Sequence, residues 1–284
     1  MDFNLINKIH SFFRKVFSLQ MWIEYIHKKR IRPVIYIINK EVRKQKKDPL
    51  SIPVIIINYN RLIDLKTLVS FLVDRGHKNI VIIDNNSSYS PLLEYYKEIE
   101  DIVTIERLDK NYGHLVFWRN SEIFHTYSKG YYIITDSDII PNDNLPENYL
   151  EQMIKLLDNH KEIVKVGFAL RIDDIPDHYL LKQKVLKWEQ KYWERSITKD
   201  IYMADIDTTF ALYPPYYRFM HITDFYPAIR IAGNFLAKHT GWYQNNEKLT
   251  DEEIFYRDNA NPSSSWKMDE KGNFVGSTYY KDLQ

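Results

Sequence analysis

The sequence predicts an α/β fold in which a mostly parallel sheet is flanked by helices. From Pro53 onward, short runs of β-branched residues alternate with polar segments of helical character, which is the pattern of β-α-β units. Each predicted strand ends in polar residues, and open α/β sheets bind ligands outside the carboxyl ends of their strands. The chain has 284 residues, 44% of them hydrophobic, and is long enough to bury one large core.

The predicted elements are regular up to residue 145. The segment PVIIIN is a continuous apolar run, as expected for a strand that is buried on both faces. Strands are predicted over 53–58, 79–84, 102–106 and 131–135, with helices over 62–73 and 91–99. Beyond residue 145 we predict a helix over 146–159, a strand over 163–168, a long helix over 177–193, a strand within TTFALY and a short helix over 251–258.

Residues 1–47 differ in composition from the rest of the chain. They contain twelve Lys and Arg against three Asp and Glu, a net charge of +9, whereas the whole chain carries +1. We therefore predict a basic, amphipathic, helical appendage over 1–50 and a main domain over 51–284. The interleaved aromatic and aliphatic residues suit an anionic membrane surface. The alternative is a helical pair that packs on the main domain with its lysines solvated.

Composition excludes several classes of function. Because positive and negative charges nearly balance, no global field attracts nucleic acid, and we expect no nucleic-acid partner. The absence of Cys excludes disulfides, thiolate metal sites and Cys nucleophiles. No apolar run is long enough to span a membrane, and Arg14 and Lys15 interrupt the apolar residues near the amino terminus. We expect a cytoplasmic protein, attached peripherally to the inner face of the plasma membrane if the appendage binds lipid.

The sequence Asp136-Ser137-Asp138 directly follows the strand predicted over 131–135. Two carboxylates at the end of a strand can reach one hard divalent cation, and Mn²⁺ or Mg²⁺ prefers such oxygen ligands, with phosphate completing the shell. Such an ion would neutralise a diphosphate leaving group. These residues therefore predict a metal and diphosphate site at this edge of the sheet.

Four segments occur in a recognisable order: IPVIIINYNR, IVIIDNNSS, NYGHLVFWRN and YYIITDSDI. Together, over about residues 52–141, they resemble the signature of family 2-type glycosyltransferases with the GT-A fold, of the kind that builds bacterial cell-surface polysaccharides. The resemblance implies metal-dependent, inverting transfer of a sugar from a nucleotide-diphosphate donor, a UDP-sugar, to a hydroxyl of a glycan or lipid-linked glycan. It also implies a nucleotide-binding half over 51–145 and an acceptor-binding half over 146–284.

The resemblance assigns donor-binding roles to particular residues. The loop after the first strand would meet the base, Asp84 would hydrogen-bond the uracil or ribose, an N-x-G element would lie beside the nucleotide, and Asp136 would contact the ribose. The residues so assigned are Asn58, Tyr59, Asn60, Arg61, Asp84, Asn111, Gly113, His114 and Asp136. Alternatively, the segment 84–87 is an Asx turn that caps the next helix, and the N-x-G element is ordinary loop structure.

The metal ligands implied by the resemblance are Asp136, Asp138 and a carboxyl-terminal His, for which His239 is the candidate. Arg230 would hold phosphate oxygens. A lone His is more often a structural residue, so a purely structural His239 is the alternative.

Inverting transfer needs a carboxylate base near the acceptor hydroxyl. Asp207 is the first candidate because it opens the strand-like TTFALY segment, where a carboxylate can face the ligand crevice. Glu252 is the rival, since it lies in an acidic pair resembling the family's E-D element, although acidic residues in a first helical turn also stabilise the helix dipole.

Two other functions remain open at this point. A sugar nucleotidyltransferase uses a similar sheet and metal, but it has a Gly-rich loop after the first strand, and the segment 58–61 contains no Gly. A catalytically silent, carbohydrate-binding module with the same fold would have lost turnover. The retained acidic pair and candidate base favour the transferase over both.

Overall fold

The computed structural model describes residues 32–207, 209–218, 228–245 and 247–259. The strands are β1 (Val54–Asn58), β2 (Ile80–Asp84), β3 (Thr104–Arg107), β4 (Tyr132–Asp136), β5 (Ile139–Pro141), β6 (Lys165–Phe168), β7 (Ser196–Thr198), β8 (Ile201–Met203), β9 (Ala211–Tyr213), β10 (Ala228–Ile231) and β11 (Ala237–His239). The α-helices are α1 (Arg32–Ile38), α2 (Lys40–Lys47), α3 (Ile63–Asp74), α4 (Ser90–Ile99), α5 (Val116–Arg119), α6 (Ser121–Tyr127), α7 (Tyr149–Asn159), α8 (Lys182–Gln190) and α9 (Asp251–Asn259). Short 3₁₀ turns cover Pro49–Ser51, Lys191–Trp193, Gly233–Phe235 and Thr240–Tyr243.

Nine strands form one sheet in the order β3-β2-β1-β4-β9-β6-β10-β8-β7. The neighbours β3, β2, β1 and β4 are parallel, β9 runs antiparallel between β4 and β6, and β6 is parallel to β10. The carboxyl ends of β1, β2, β4, β6 and β10 therefore lie along one edge, called the carboxyl edge below. The predicted fold class, a mainly parallel sheet flanked by helices, is confirmed.

Both faces of the sheet are covered, which explains the continuous apolar runs in its strands. Val54 and Ile56 of β1 face one core cluster with helix α3, whereas Ile55 and Ile57 face a second cluster with Phe117 of α5. All five β1 side chains are buried. The sheet is consequently a rigid base for residues at its carboxyl edge.

The appendage is described only from residue 32, and its last helix packs on the main domain. Val42 of α2 is buried in the first core cluster. The amide of Gln45 accepts a hydrogen bond from the N–H of Tyr131 at 2.7 Å and donates one to its carbonyl oxygen at 2.9 Å. A Cβ at Gly130 would collide with the amide end of Gln45, so a larger residue there would displace the Gln45 side chain and its two hydrogen bonds. Helix α2 is thus fixed at the amino end of β4, while the part of the appendage over 1–31 lies outside the described residues.

Most differences from the predicted elements occur beyond residue 160, but helices α5 and α6 and strand β5 were not predicted either. The predicted helix over 177–193 is shorter, because α8 begins at Lys182 and gives way to a 3₁₀ turn after Gln190. The predicted strand within TTFALY is confined to β9, since Phe210 has a φ of 34° that no regular strand adopts. Strands β5, β7, β8, β10 and β11 were not predicted; each has three or four residues, too few to show a periodic pattern. Among the described residues, no helix is long and apolar enough to cross a bilayer.

Candidate active site

The ends of β1 and β2 share one buried hydrogen-bond network. Tyr96 of α4 donates its hydroxyl to Asp84 Oδ1 at 3.0 Å and accepts from the amide of Asn58 at 2.9 Å. The N–H of Ser87 donates to Asp84 Oδ2 at 3.1 Å, and Arg107 Nε lies 3.7 Å from the same oxygen. Burial, together with the charge of Asp84, raises the pKa of Tyr96. Asp84 is fully buried and accepts from Ser87 in an Asx-type turn, but α4 begins at Ser90 without a side-chain cap, so only the turn in the structural alternative is present.

Asn60 joins the loop after β1 to the loop after β2. Its side-chain oxygen accepts hydrogen bonds from the N–H groups of Ser88 at 2.8 Å and Tyr89 at 3.1 Å. Its own N–H donates to Ser87 Oγ at 2.8 Å. Asn60 has a φ of 51°, which Asn tolerates better than most residues. It is buried, so its main contribution is to fix the two loops that form this part of the carboxyl edge.

The predicted N-x-G element folds back onto β2. Asn111 Oδ1 accepts from the N–H of Gly113 at 2.8 Å, and Gly113 adopts a φ of 79° that favours glycine. Asn85, directly after β2, accepts from the N–H of Tyr112 at 3.2 Å and donates to the carbonyl oxygen of Gly113 at 3.3 Å. The loop therefore lies beside Asp84's strand end, with His114 half-buried just beyond it. Asn85 was not among the predicted site residues, although it directly follows the strand-ending Asp84 in the sequence.

The structure brings Asp138 and His239 together. Asp136 ends β4, Asp138 directly precedes β5, and β5 pairs with β11 so that Ile139 lies opposite His239. His239 Nε2 is 3.9 Å from Asp138 Oδ2. The imidazole stacks on Trp242, with ring centroids 4.8 Å apart and an interplanar angle of 11°. This stacking fixes the ring with its Nε2 atom toward the carboxylate.

These two side chains can hold a divalent cation only in part. Within the described ranges, no group of three or more His, Asp and Glu side chains could hold a metal ion alone. His239 Nδ1 is buried and has no hydrogen-bond partner among the described atoms. The carboxylate nevertheless suits Mn²⁺ or Mg²⁺, whose remaining ligands come from phosphate and water, and the imidazole suits a transition-metal ion better than Mg²⁺. The donor set therefore fits an ion that arrives with its nucleotide.

Arg61 and Asp64 lie close to this pair. Arg61 is buried, with its guanidinium carbon 3.9 Å from the centroid of the Tyr256 ring and Nη1 3.9 Å from Asp64 Oδ2. Burial lowers the pKa of Arg61, but the charges of Tyr256, Asp138 and Asp64 outweigh it and raise the value. Burial raises the pKa of Asp64 to about 6, with Arg61 opposing the shift and Asp138 adding to it. Asp64 lies in the first turn of α3, and no motif in the sequence marks it.

Glu252 has a structural task in this arrangement. Its carboxylate accepts hydrogen bonds from the N–H groups of Leu62 and Ile63, both at 3.0 Å. The start of α3 has no side-chain cap of its own at Leu62, so Glu252 of α9 supplies one. Tyr59 also meets α9, because its hydroxyl donates to the carbonyl oxygen of Asn259 at 3.0 Å. The sequence offered Glu252 as a rival base, with stabilisation of its own helix as the alternative, whereas here it caps α3, whose start lies about 190 positions earlier.

Asp207 is exposed and lies in the segment that leads into β9. Arg230 donates from Nε to the carbonyl oxygen of Asp205 at 2.7 Å, and Lys165 donates from Nζ to that of Ile206. Burial lowers the pKa of Lys165 to about 8, against the charges of Asp207 and Asp205. Two buried cations therefore fix the backbone directly before Asp207.

Arg230 is committed to other partners than phosphate. Its Nη1 forms a buried ion pair with Glu189 Oε2 at 2.6 Å, and its guanidinium carbon lies 4.0 Å from the centroid of the Tyr192 ring. Together with its bond to Asp205, these contacts occupy the guanidinium inside the protein. Arg230 thus holds β10, α8 and the segment before Asp207 together, and we assign it no role in donor binding.

A family model for glycosyl transferase family 2 matches residues 54–254. No curated protein matches the chain at a significant level. Among solved structures, the chain is similar to the mannosyltransferase PcManGT from Pyrobaculum calidifontis, in complex with GDP-Man and Mn²⁺, at 13% identity over 83% of this chain and 71% of that one, with a TM-score of 0.39. It is also similar to S. aureus TarS 1-349, at 15% identity over 46% of this chain and 39% of that one, with a TM-score of 0.32. A second S. aureus TarS structure matches at 14% identity over 46% of this chain and 24% of that one, with a TM-score of 0.33. The match therefore spans less than half of each TarS chain.

Proposed function

The chain belongs to glycosyl transferase family 2, and we propose that it transfers a sugar from a UDP-sugar to a hydroxyl of a glycan acceptor, with inversion and with Mn²⁺ or Mg²⁺. One observation carries the proposal: Asp136 and Asp138 leave β4 at the carboxyl edge, where His239 approaches to 3.9 Å from Asp138. Open α/β sheets bind their ligands at this edge.

The donor nucleotide would lie along the ends of β1, β2 and β4. The parallel register aligns Asn58 with Asp84 and Ile57 with Asp136, so these strand ends are neighbours. We assign the base to the loop formed by 59–61, and the ribose to Asp136. Asp84 and Asn111 contribute by fixing the surrounding loops, because both already bond to backbone N–H groups.

The diphosphate would lie over Asp138 and His239. When bound, Mn²⁺ or Mg²⁺ supplies positive charge that stabilises the diphosphate as it leaves the sugar. Asp138 and His239 would hold the ion. Arg61 and Asp64 set the local charge: the guanidinium compensates the half-buried carboxylates of Asp64 and Asp138, and its contact with Tyr256 keeps it in place.

Asp207 is the base that we assign to the acceptor hydroxyl. Its carboxylate is exposed and can accept a proton as that hydroxyl attacks the anomeric carbon opposite the diphosphate. Burial strongly raises the pKa of Tyr213, and the charges of Tyr132, Asp207 and Asp136 raise it further, so both carboxylates lie within electrostatic reach of the Tyr213 hydroxyl. Glu252 remains the rival, but its bonds to two backbone N–H groups would have to break before it could accept a proton.

Calorimetric titration with UDP in the presence and absence of Mn²⁺ tests the proposal. We expect metal-linked heat for the wild-type protein, its loss in Asp138→Ala, and its retention in Asp143→Ala, which removes an exposed carboxylate five positions away. Absence of metal-linked binding in the wild type would favour a silent carbohydrate-binding module. Release of pyrophosphate from a nucleoside triphosphate and a sugar phosphate would instead indicate a sugar nucleotidyltransferase.

We further place the reaction in the cytoplasm, at the inner face of the plasma membrane, with a lipid-linked glycan as acceptor. The support is the charge of residues 1–47, a net +9, which favours an anionic surface. Screening nucleotide sugars for metal-dependent hydrolysis, followed by assignment of the product anomer, tests the donor and the inversion.

A further inference from the structure

The outer face of helix α2 is a continuous basic stripe. Lys40, Arg43, Lys44 and Lys47 are all exposed and follow one another at i, i+3, i+4 and i+7, which places them on one side of the helix. Lys46 lies off this stripe and pairs with Asp158 at 2.6 Å. The stripe therefore presents four positive charges to one side of the molecule.

Helix α1 adds apolar side chains beside this stripe. Val34, Ile37 and Ile38 are 52%, 70% and 65% exposed, and Ile37 and Ile38 are the two most exposed of the large hydrophobic side chains described. Arg43 Nη1 donates to the carbonyl oxygen of Ile37 at 3.1 Å, so the apolar and basic residues are neighbours. Aliphatic side chains next to Lys and Arg are the composition of helices that lie in the interface of an anionic bilayer.

This surface is held firmly against the main domain. Gln45 bonds both backbone groups of Tyr131, and the amide of Asn39 donates to the carbonyl oxygen of Lys129 at 2.6 Å. Both contacts lie just before β4, at the amino end of the strand whose carboxyl end carries Asp136. The basic stripe and the carboxyl edge are thus attached to opposite ends of the same strand.

We propose that the α1–α2 surface, defined by Val34, Ile37, Ile38, Lys40, Arg43, Lys44 and Lys47, docks the protein on an anionic lipid surface. An acidic protein partner would match the cations but would not require three exposed aliphatic side chains. Docking through this surface places the carboxyl edge away from the bilayer by about the length of β4, roughly 15 Å for five residues. If the protein is the proposed transferase, on which this step rests, its acceptor is an extended glycan whose reactive end lies away from the lipid.

Vesicle sedimentation of the full chain tests the docking. We expect binding to vesicles of phosphatidylcholine mixed with phosphatidylglycerol, and much weaker binding to phosphatidylcholine alone. Lys44→Gln with Lys47→Gln should weaken binding to the anionic vesicles roughly 25-fold, because each basic residue contributes about fivefold near such a surface. Ile37→Ser with Ile38→Ser should weaken binding to the anionic vesicles as well, since it removes the apolar contact.

A charge-matched control uses Lys97→Gln with Lys199→Gln, which removes two exposed lysines on other elements. This control should bind like the wild type. Equal loss in the control and the α2 variant would overturn the proposal, since it would show a response to net charge alone. Unchanged vesicle binding of the Ile37 and Ile38 variant would also overturn it. If the wild type were a dimer that this variant dissociates, such a result would show that the surface contacts a second copy of the chain and not lipid.

Donor hydrolysis in solution separates this proposal from the transferase function. The Lys44 and Lys47 variant should retain metal-dependent hydrolysis of the sugar nucleotide, because α2 lies at the amino end of β4. On vesicles, the wild type should use a lipid-linked acceptor that carries several sugars in preference to one that carries a single sugar. Equal use of both acceptors would overturn the proposed orientation of the carboxyl edge away from the bilayer. Absence of metal-dependent hydrolysis in the wild type would instead count against the transferase function itself.

Discussion

The carboxyl edge is built in two different ways on the two sides of β4. On the side of β1 and β2, Asn58, Asp84 and Asp136 are the last residues of adjacent parallel strands, and backbone pairing sets them side by side. On the other side, Asp207 lies in a segment without strand pairing of its own, and His239 ends a strand of three residues. The first side is positioned by the main sheet, whereas the second is positioned by the short strand pair β5–β11 and by side-chain contacts over long sequence distances.

The difference shows in what holds each residue. Asp84 is buried and bonds to Tyr96 and Ser87 within its own β-α unit. Asp207, in contrast, depends on Lys165 and Arg230, which come from two other strands. A contact made by one long side chain can be removed by one substitution, whereas a strand register cannot. We therefore expect single substitutions to displace the site more easily on the second side.

The largest expected effect is on turnover in Asp207→Asn. Removing a general base costs roughly 10²- to 10⁴-fold in kcat, while donor binding should be retained because we assign Asp207 no contact with the nucleotide. Steady-state kinetics with a fixed acceptor measures both quantities. Asp205→Asn and Glu252→Gln are the matched comparisons, and a larger loss of kcat in either would move the base away from Asp207.

Lys165→Met tests how the second side is stabilised. Burial lowers the pKa of Lys165 from 10.5 to about 8, so between those values the unfolded chain binds more protons than the folded one. The free energy of unfolding of the wild type should then rise with pH across this window, by roughly 3 kcal/mol at most. The Met variant should lack this rise.

Denaturant unfolding of both proteins from pH 7 to pH 10 provides the measurement. Taking the difference between the two curves removes the contribution of the tyrosines that titrate in the same range. Parallel curves would show that burial does not lower the pKa of Lys165 in the folded protein.

Glu252→Ala should destabilise the protein by about 2 kcal/mol, because it removes the charged acceptor at the start of α3. Glu252→Gln keeps one acceptor oxygen and should cost less. Thermal or denaturant unfolding checks both. The control is Glu253→Ala; among the described residues, the Glu253 carboxylate accepts hydrogen bonds from the N–H and hydroxyl of the exposed Thr250. A loss of stability in this control as large as that of Glu252→Ala would contradict the capping role.

The first side of the site could be predicted from the sequence because order along the chain matches order in space. Strand, turn and helix follow one another in each β-α unit, and the polar residue after the apolar run is the site residue. The strands predicted near Asn58, Asp84 and Asp136 are confirmed, with each boundary shifted by at most one residue. Asn85 was overlooked because its role depends on where the later loop 111–113 folds.

The second side could not be predicted in the same way. Strands β5, β10 and β11 are too short for a periodic pattern, and their partners are distant in sequence. Arg230 was expected to bind phosphate, but it pairs with Glu189, and that pairing depends on tertiary packing that no local sequence pattern shows. Likewise, no local pattern shows that Asp64 faces Asp138, or that α9 caps α3. The residues most dependent on side-chain contacts were those that the sequence left open.

Gly113→Ala has the smallest expected effect and tests the first side most directly. Alanine at a φ of 79° costs about 1 kcal/mol in the free energy of unfolding. Gly76→Ala is the matched control, since Gly76 has a φ of 78° and lies just after α3, away from the loop that Asn85 holds. Both variants should lose similar stability in denaturant unfolding, but only Gly113→Ala should weaken UDP binding in calorimetric titration, because it shifts the loop beside Asp84. Equal UDP affinity in the two variants would show that this loop does not contact the nucleotide, and that the backbone pairing of β1 and β2 is sufficient to form the donor site.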